Sequence, residues 1–355
     1  MIHVSRFAAE RAAKAASWLR GTAGVKPYLS FRARLVVQTA FALLCVFLGV
    51  QFAFFLDAAR EGRTPLPVRP PGVEGFLPIS GLMGLLDWIH QGTLNRVHPA
   101  ATVLFVIFIA TALFLRKAFC SWICPVGLLS ESLARVGQKL FRRNFRPPRP
   151  VDIGLRSLKY LLLAFFLWAI FGMSAAELRG FIESPYNRVS DVKMYLFFAR
   201  LGTTAAALLA VLAVASVFVQ GAWCRFLCPY GALLGFFSWR SPVRIRRNDE
   251  ACTGCGICDR VCMARLPVSS KKETLSVECT GCLDCVAACP VEPALALGAK
   301  RRRIGVLSFA FAVVLLFTAG YAAARAAGIW RNEVSDAEYV ERIRTIDHPE
   351  YAHPR

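Results

Sequence analysis

Five long apolar segments dominate the pattern of hydrophobic and polar positions along this chain. None of them contains Lys, Arg, Asp or Glu, and polar stretches separate them. A bilayer-spanning helix needs roughly 20 apolar residues, with a range of about 17–25, so each segment predicts a transmembrane helix, the second and third at the short end of that range. The predicted spans are Leu35–Leu56, Pro99–Leu115, Tyr160–Ala176, Leu201–Trp223 and Ile304–Ala324. This pattern predicts an all-α polytopic membrane protein with about five transmembrane helices.

Positive charge is distributed unevenly between the loops that join these spans. The chain has 355 residues, is 56% hydrophobic and carries a net charge of +20, with 43 Lys and Arg. If the spans alternate in direction, 30 of the 43 basic residues lie on one side of the membrane and 13 on the other. Lys and Arg accumulate on the cytoplasmic side. We therefore expect a bacterial inner-membrane protein with a cytoplasmic N-terminus, a periplasmic C-terminus and contacts to membrane lipids; nucleic acid is not an expected partner.

Twelve of the 13 cysteines fall into four short runs. The thirteenth, Cys45, lies inside the first span and is expected to be a small buried hydrophobe. Two runs read C-x3-C-P and belong to an internal repeat, in which Ala118–Leu129 aligns with Ala222–Leu233. The expected regions are a basic cytoplasmic N-terminal arm (1–34), a four-helix transmembrane region with both repeats (35–239), a cytoplasmic domain with the other two cysteine runs (248–297), a fifth transmembrane helix (304–324) and a periplasmic tail (325–355).

The other two cysteine runs repeat the spacing C-x2-C-x2-C-x3-C, which is typical of bacterial two-cluster ferredoxins. Thiols on the cytoplasmic side stay reduced, which favours metal ligation over disulfides. In such ferredoxins the fourth cysteine of each run ligates the other cluster. The expected ligand sets are Cys252, Cys255, Cys258 and Cys289 for the first [4Fe–4S] cluster, and Cys279, Cys282, Cys285 and Cys262 for the second. Structural zinc is the alternative, and a duplicated run of four cysteines fits it poorly.

A further metal site is a candidate at the four cysteines of the C-x3-C-P runs, Cys120, Cys124, Cys224 and Cys228. Residues four apart on a helix share a face, so each pair can present two sulfurs to one point. Pro125 and Pro229 suit the first position of a helix, where the dipole favours thiolate at the preceding cysteine. Three interpretations stay open: a shared further iron–sulfur centre, another metal such as copper or thiol redox chemistry, and reduced structural thiols.

The five histidines add few candidates. No C-x-x-C-H occurs, which excludes covalent c-type haem. His90 and His98 are expected on the outer side, as solvated or capping side chains more than as quinol or haem ligands. The tail, with His348 and His353, is expected to be either a docking peptide for an outer partner or a disordered end.

Two C-x3-C-P runs on membrane helices, followed by two ferredoxin runs, resemble the polyferredoxin membrane proteins of the NapH, NosR and CcoG types. The resemblance covers roughly residues 35–300 and implies a small α+β ferredoxin insert with [4Fe–4S] clusters. It implies electron transfer between the quinone pool or a cytoplasmic donor and a periplasmic redox protein or other membrane subunits. No catalytic residue is expected, because the clusters carry the redox work. The alternatives are a maturation factor that reduces or delivers copper, and a structural membrane anchor.

Overall fold

The structure is a computed structural model that describes residues 25–142, 144–292, 294–299 and 302–352. Most of the predicted basic arm and the tail residue His353 therefore lie outside the described residues. The chain divides into two compact units. Unit 1 runs up to Phe41 and adds Ala110–Pro147 and Val217–Leu315, whereas unit 2 contains Ala42–Ile109, Pro148–Ser216 and Leu316–Arg355.

Most of the described chain is helical, and several helices begin at a proline, whose fixed φ suits the first helical position. The α-helices are α1 Val25–Glu61, α2 Pro78–Gln91, α3 Pro99–Leu115, α4 Pro125–Phe141, α5 Arg149–Phe171, α6 Ala175–Ile182, α7 Pro185–Arg188, α8 Ser190–Ala199, α9 Thr203–Phe218, α10 Pro229–Ser238, α11 Ile257–Val261, α12 Asp284–Ala287, α13 Val306–Ala326 and α14 Asp336–Arg344. The strands are β1 Val243–Arg247, β2 Leu295–Ala299 and β3 Arg302–Arg303.

Each predicted span overlaps an apolar helix, and the membrane-helical class is confirmed. Among the described residues, three helices are long and apolar enough to cross a bilayer: Arg32–Glu61, Arg149–Phe171 and Val306–Ala326. Helices α8 and α9 pass the same test only as a pair, bent by 77°. The fifth predicted crossing depends on α3, whose 17 residues are at the short end of the range for a span.

A small antiparallel sheet closes the ferredoxin insert in unit 1. Strand β1 pairs with β2 in the register Val243↔Ala299, Ile245↔Leu297 and Arg247↔Leu295. Val243, Ile245, Leu295 and Leu297 are buried, as the two-residue period of a half-buried strand requires. All eight ferredoxin cysteines lie in the chain between these two strands, so the pairing of β1 with β2 brings the two ends of the insert together.

The C-terminal tail is folded in unit 2. Helix α14 buries Tyr339 and Ile343 against the C-terminal part of α1, where the rings of Phe55 and Tyr339 meet edge to face with centroids 5.2 Å apart. Arg188 Nη1 pairs with Glu338 Oε1 at 3.0 Å. The described part of the tail is therefore not a disordered end, and its aromatic side chains serve the core of unit 2 instead of standing free for a partner.

A buried charged cluster lies next to Tyr339 in unit 2, where the Arg69 guanidinium carbon is 5.7 Å from the centre of the Tyr339 ring. The Arg69 guanidinium donates to Glu74 at 2.8 Å and to Asp191 at 2.6 Å. His98 is 5% exposed; its Nε2 donates to the Asn187 carbonyl at 2.6 Å, and its Nδ1 lies 3.4 Å from Glu74 Oε1. The expectation of a solvated His98 is therefore wrong, because this side chain belongs to an internal network around two carboxylates.

Candidate iron–sulfur sites

Three cysteines of the first ferredoxin run and the last cysteine of the second run line one small cavity in unit 1: Cys252, Cys255, Cys258 and Cys289. Cys258 interacts electrostatically with Cys255 and Cys289, and Cys289 with Cys252 and Cys255. Burial, with the nearby Asp259 and cysteines, raises the pKa of Cys258 to about 12. A thiol with this pKa is protonated at neutral pH, so metal binding at this first ligand set must release protons.

The other four ferredoxin cysteines form a second ligand set: Cys262, Cys279, Cys282 and Cys285. Cys285 interacts electrostatically with the other three, and Cys282 with Cys262. Burial raises the pKa of Cys282 and Cys285 well above the ordinary value. Cys279 and Cys285 are only 9% and 7% exposed. Cysteines of the two runs thus approach one another in the combinations that the ferredoxin spacing predicts, with the fourth cysteines exchanged; their role as cluster ligands stays a prediction.

Backbone conformation explains how each run curves around its centre. Gly254 and Gly281, at equivalent positions of the two runs, have φ values of +69° and +66°. The next equivalent pair is Gly256 at +67° and Leu283 at +66°. A Cβ atom disfavours this left-handed region, which accounts for the three glycines. Leu283 is only 2% exposed, so its packing in the core offsets the strain, and the sequence alone carried no signal for it.

Both C-x3-C-P runs adopt the same local structure in unit 1. Each forms one π-helical turn, Phe119–Ile123 and Trp223–Leu227. The second cysteine closes the turn by donating to the carbonyl five residues earlier, at 2.9 Å for Cys124 and 3.0 Å for Cys228. The predicted α-helical spacing is therefore wrong; single π-helical turns are frequent at functional sites. The prolines begin α4 and α10 as expected, and the Gly231 N–H donates to the Cys228 sulfur at 3.3 Å.

The four cysteines of these two turns converge. Cys120 interacts electrostatically with the other three, and Cys224 interacts with Cys124 and Cys228. Burial raises the pKa of Cys120 well above its ordinary value and that of Cys224 to about 12. The Tyr230 phenol is close to three of the same cysteines, and burial raises its pKa as well. Sequence reasoning missed Tyr230, which directly follows the second C-x3-C-P run.

The first C-x3-C-P loop (119–125) is hydrogen-bonded to the second ferredoxin run. Ser121 Oγ donates to the Thr280 carbonyl at 2.7 Å, and the buried Trp122 indole donates to the Gly281 carbonyl at 3.1 Å. These two carbonyls lie between the second-set ligands Cys279 and Cys282. The first loop is therefore fixed directly against the second ligand set.

The second C-x3-C-P loop (223–229) is hydrogen-bonded to the chain beside the same ligand set. Arg225 Nη1 donates to the Met263 carbonyl at 3.0 Å. Met263 directly follows Cys262, the ligand that the first ferredoxin run contributes to the second set. Both loops are thus fixed next to ligands of this one set.

Arg34, on α1, brings a buried positive charge to the second ligand set. Its Nη1 donates to the Cys282 carbonyl at 3.0 Å and pairs with Asp284 at 2.8 Å. Its Nη2 pairs with Glu131 at 2.5 Å, and Gln38 donates to the same carboxylate at 3.3 Å. Sequence reasoning counted Arg34 only as part of the basic arm. A signal was present, since Arg34 and Gln38 are polar residues one helical turn apart at the start of an apolar span.

The spacing of the sulfurs bears on which metal fits. Among the described residues, no group of three or more His, Cys, Asp or Glu side chains is close enough to bind a single metal ion. One zinc or copper ion draws its sulfur ligands to about 2.3 Å. Four sulfurs around a [4Fe–4S] cluster each bind a different iron and stand farther apart. The described cysteine groups therefore lack the close spacing that a single ion needs, and the sequence spacing of the two ferredoxin runs is that of cluster ligands.

Two kinds of family model match the chain. The model described as "4Fe-4S binding domain" matches residues 97–148 and 201–248, which contain the two C-x3-C-P runs. The model described as "4Fe-4S dicluster domain" matches residues 244–290, which contain both ferredoxin runs. No solved structure matches the chain.

Several named proteins are similar in sequence. The "Putative electron transport protein YccM" of Escherichia coli (strain K12) is 41% identical over 348 residues, 92% of this chain and 96% of that protein. "Regulatory protein NosR" of Stutzerimonas stutzeri is 29% identical over 70% of this chain and 35% of that protein. "Ferredoxin-type protein NapH" of Haemophilus influenzae is 28% identical over 55% of this chain and 66% of that protein. The chain therefore belongs to the polyferredoxin-type family of [4Fe–4S] proteins.

Proposed function

We propose that this chain is a membrane-bound electron-transfer protein that relays electrons between the quinone pool or a cytoplasmic donor and a periplasmic or respiratory partner. One observation carries the proposal: both C-x3-C-P loops are hydrogen-bonded to the backbone beside the second ligand set. The loops follow apolar helices, so this arrangement leads from the membrane helices into the ferredoxin insert. The relatives named as electron transport and ferredoxin-type proteins support the same role.

The residues present fit two [4Fe–4S] clusters, one in each ligand set. Each set offers four thiols, and three left-handed glycines and Leu283 let the backbone fold closely around them. When bound, such clusters accept and release single electrons. The chain holds them in place, and Arg34 supplies a fixed positive charge beside the second set.

We assign a further iron–sulfur centre to Cys120, Cys124, Cys224 and Cys228. These cysteines converge from two equivalent turns, and each turn lies in a segment that matches the "4Fe-4S binding domain" model. A symmetric site built from two related halves also explains why the repeat keeps the same local structure twice. This assignment is favoured over single copper ions and over unrelated structural thiols.

The two ferredoxin ligand sets differ in their access to water. Cys279 and Cys285 of the second set are buried. Thr253 and Gly254, within the first run, are exposed. The first set is therefore suited to exchange electrons with a soluble partner, and the second set to exchange them with the C-x3-C-P site.

The uneven distribution of Lys and Arg supports an inner-membrane location with the ferredoxin insert in the cytoplasm. In this orientation the first ligand set faces cytoplasmic redox proteins. The C-terminal tail is then periplasmic, and other membrane subunits or a periplasmic redox protein are the partners on that side.

The maturation alternative requires thiols that exchange metal or attack disulfides. The similarity to NosR, which is named as a regulatory protein, is compatible with this alternative. The thiolate is the reactive form of cysteine. Because burial raises the pKa of Cys224 to about 12, this thiol is unreactive at neutral pH unless a metal already binds it. The hydrogen bonds that fix both C-x3-C-P loops beside the second ligand set favour the electron relay over metal delivery.

The test is iron and acid-labile sulfide per chain in anaerobically purified protein. Wild type should contain about twelve irons, from three centres of four irons each. The double variant Cys120→Ser/Cys224→Ser should retain about eight, and Cys45→Ser, which alters a cysteine outside the runs, should match wild type. About eight irons in all three proteins would rule out the further iron–sulfur centre at the C-x3-C-P cysteines. A lack of labile sulfide in wild type would overturn the whole proposal.

A further inference from the structure

A cavity of about 990 Å³ lies in unit 1 between α4, the loop that follows α4, and the ferredoxin insert. Six arginines line it, against two carboxylates. Such an excess of one charge in a concave site creates a potential that extends into solvent and attracts ligands of opposite charge. Neither ligand set lies within this cavity, so its charge needs a separate explanation.

The charges at the inner end of the cavity neutralise one another. Arg34 is 2% exposed and pairs with both carboxylates of the lining, Glu131 at 2.5 Å and Asp284 at 2.8 Å, and Arg135 also pairs with Glu131. Two arginines thus balance two carboxylates at this end. The unbalanced charge must therefore lie nearer the mouth.

Three exposed arginines lie nearer the mouth: Arg142, Arg146 and Arg260. We call them the rim arginines. Arg146 donates to the Arg260 carbonyl at 2.8 Å, and Arg260 to the Cys255 carbonyl at 3.4 Å. Within the part of the chain that the structure describes, none of the three forms an ion pair with a carboxylate. Guanidinium groups in this state are well suited to recognise carboxylates, which they can bind in a bidentate fork.

Helix α4 indicates that the cavity faces water and not lipid. At 3.6 residues per turn, the cavity residues Ala134 and Gln138 lie on one face of α4. The opposite face carries an exposed apolar stripe: Val126, Leu129, Val136 and Leu140. A stripe of this kind is the part of an interfacial helix that contacts acyl chains. A lipid with its headgroup in the cavity would have its chains on the wrong side of the helix.

The cavity wall also touches the chain beside both ligand sets. Val261 and Met263, on either side of Cys262, belong to the lining, and so does Ala288, which precedes Cys289. A molecule held at this wall is close to the second set through Cys262 and to the first set through Cys289. Position and charge together point to a redox partner that carries negative charge.

We propose that the rim arginines dock an acidic one-electron carrier protein from the aqueous phase. This inference rests on the proposed function and names its soluble partner. One electron leaves the reduced partner and enters the oxidised one, with no bond made or broken and no proton transferred. Electron-transfer encounters bury little area, so charge complementarity at the rim chiefly sets their rate of association and their specificity.

The experiment measures the affinity of the full-length, detergent-solubilised, iron-loaded chain for an oxidised acidic flavodoxin. The rim variant is Arg142→Gln/Arg146→Gln/Arg260→Gln. The control variant, Arg240→Gln/Arg302→Gln/Arg303→Gln, removes the same charge from exposed arginines of unit 1 that do not line the cavity. At low salt we expect the rim variant to lose about tenfold or more in affinity and the control to lose about twofold or less, with the difference shrinking as salt rises.

A second variant distinguishes a loss of docking from a loss of folding. Arg142 makes no polar contact within the described part of the chain, so Arg142→Glu changes charge without breaking a bond. It should weaken flavodoxin binding on its own and leave the iron content unchanged. Equal affinity in wild type and rim variant, or equal losses in rim and control variants, would overturn the proposal.

Two further arms test other ligands of the rim. Loss of binding to cardiolipin vesicles in the rim variant, with flavodoxin binding unchanged, would replace the carrier by a lipid headgroup. Displacement of flavodoxin by pyrophosphate in the wild type, at an ionic strength where matched sodium chloride has no effect, would replace the carrier protein by a small phosphate ligand.

Dithionite reduction followed by EPR distinguishes the docking proposal from the proposed electron relay. If the protein shows reducible iron–sulfur signals but does not bind flavodoxin, the electron relay stands and only the docking site is overturned.

Discussion

Arg34 shows how a single residue can set the properties of a redox site. Its guanidinium, fixed between Cys282, Asp284 and Glu131, is a buried cation beside the second ligand set. A nearby positive charge stabilises the reduced, more negative form of a cluster. We expect Arg34→Gln to lower the reduction potential of this centre by on the order of tens of millivolts, measured by EPR-monitored redox titration. Arg34→Lys should retain most of the potential, and an unchanged potential in an iron-replete Arg34→Gln protein would contradict this role.

His98 predicts a pH dependence of stability in unit 2. Burial lowers the pKa of His98, but the nearby carboxylates of Glu74 and Asp191 outweigh burial and raise it above 6.5. The folded state therefore favours the charged form of His98. The contribution of this charge to the free energy of unfolding is complete below the pKa of His98 in the unfolded chain, and it is lost as pH rises through the pKa of His98 in the folded protein. Between about pH 6 and about pH 9 we expect the wild-type Tm in detergent to fall by about 2–4 °C.

The His98→Gln variant should lack this part of the pH dependence. Its Tm should lie below that of wild type at the acidic end and approach it at the alkaline end. His90→Gln, which alters an exposed histidine of α2, is the matched control and should follow the wild-type profile. A His98→Gln protein with the full wild-type slope would show that other groups cause it.

At the scale of elements, the two C-x3-C-P repeats are similar but not identical in packing. A Cβ at Gly127 would lie 2.2 Å from the Cys120 carbonyl oxygen, whereas at the equivalent Gly231 the nearest atom is 3.6 Å away, the Cys228 sulfur. We expect Gly127→Ala to destabilise the protein by about 1–3 kcal/mol and to reduce iron at the C-x3-C-P site. Gly231→Ala should be neutral or slightly stabilising, because alanine favours helix. Iron content and thermal unfolding of both variants check this, and equal effects would show that the two turns pack alike.

Local spacing made several elements predictable. The ferredoxin runs predict their own grouping because cysteines three and four residues apart can curve around one nearby centre, and apolar length identifies the membrane helices. The π-helical turns at Cys120 and Cys224 were missed, since they depend on where the following helix packs. The left-handed Leu283 and the partners of Arg34 were missed for the same reason: each is stabilised by residues distant in sequence. The fold of α14 was missed because a polar helix signals its buried face only weakly.

The whole molecule combines apolar helices with a ferredoxin insert, and its proposed activity requires that electrons pass between them. The C-x3-C-P loops are the connection, because each is hydrogen-bonded to the backbone next to the second ligand set. Removal of the C-x3-C-P cysteines should therefore interrupt electron transfer between the membrane helices and the insert, while both stay folded.

In membrane vesicles that expose the insert, we expect quinol to reduce the iron–sulfur signals of the wild type, because electrons can pass from the membrane through the C-x3-C-P site. In Cys120→Ser/Cys224→Ser, quinol-driven reduction should fall by about tenfold or more. Dithionite, which can approach the first ligand set at the exposed Thr253 and Gly254, should still reduce the ferredoxin signals. Cys45→Ser should behave as wild type. If quinol reduces the double variant as fast as the wild type, electrons enter the insert by another route. If quinol reduces neither protein and a soluble donor reduces both, the insert works with cytoplasmic partners alone and the C-x3-C-P site is not part of its path.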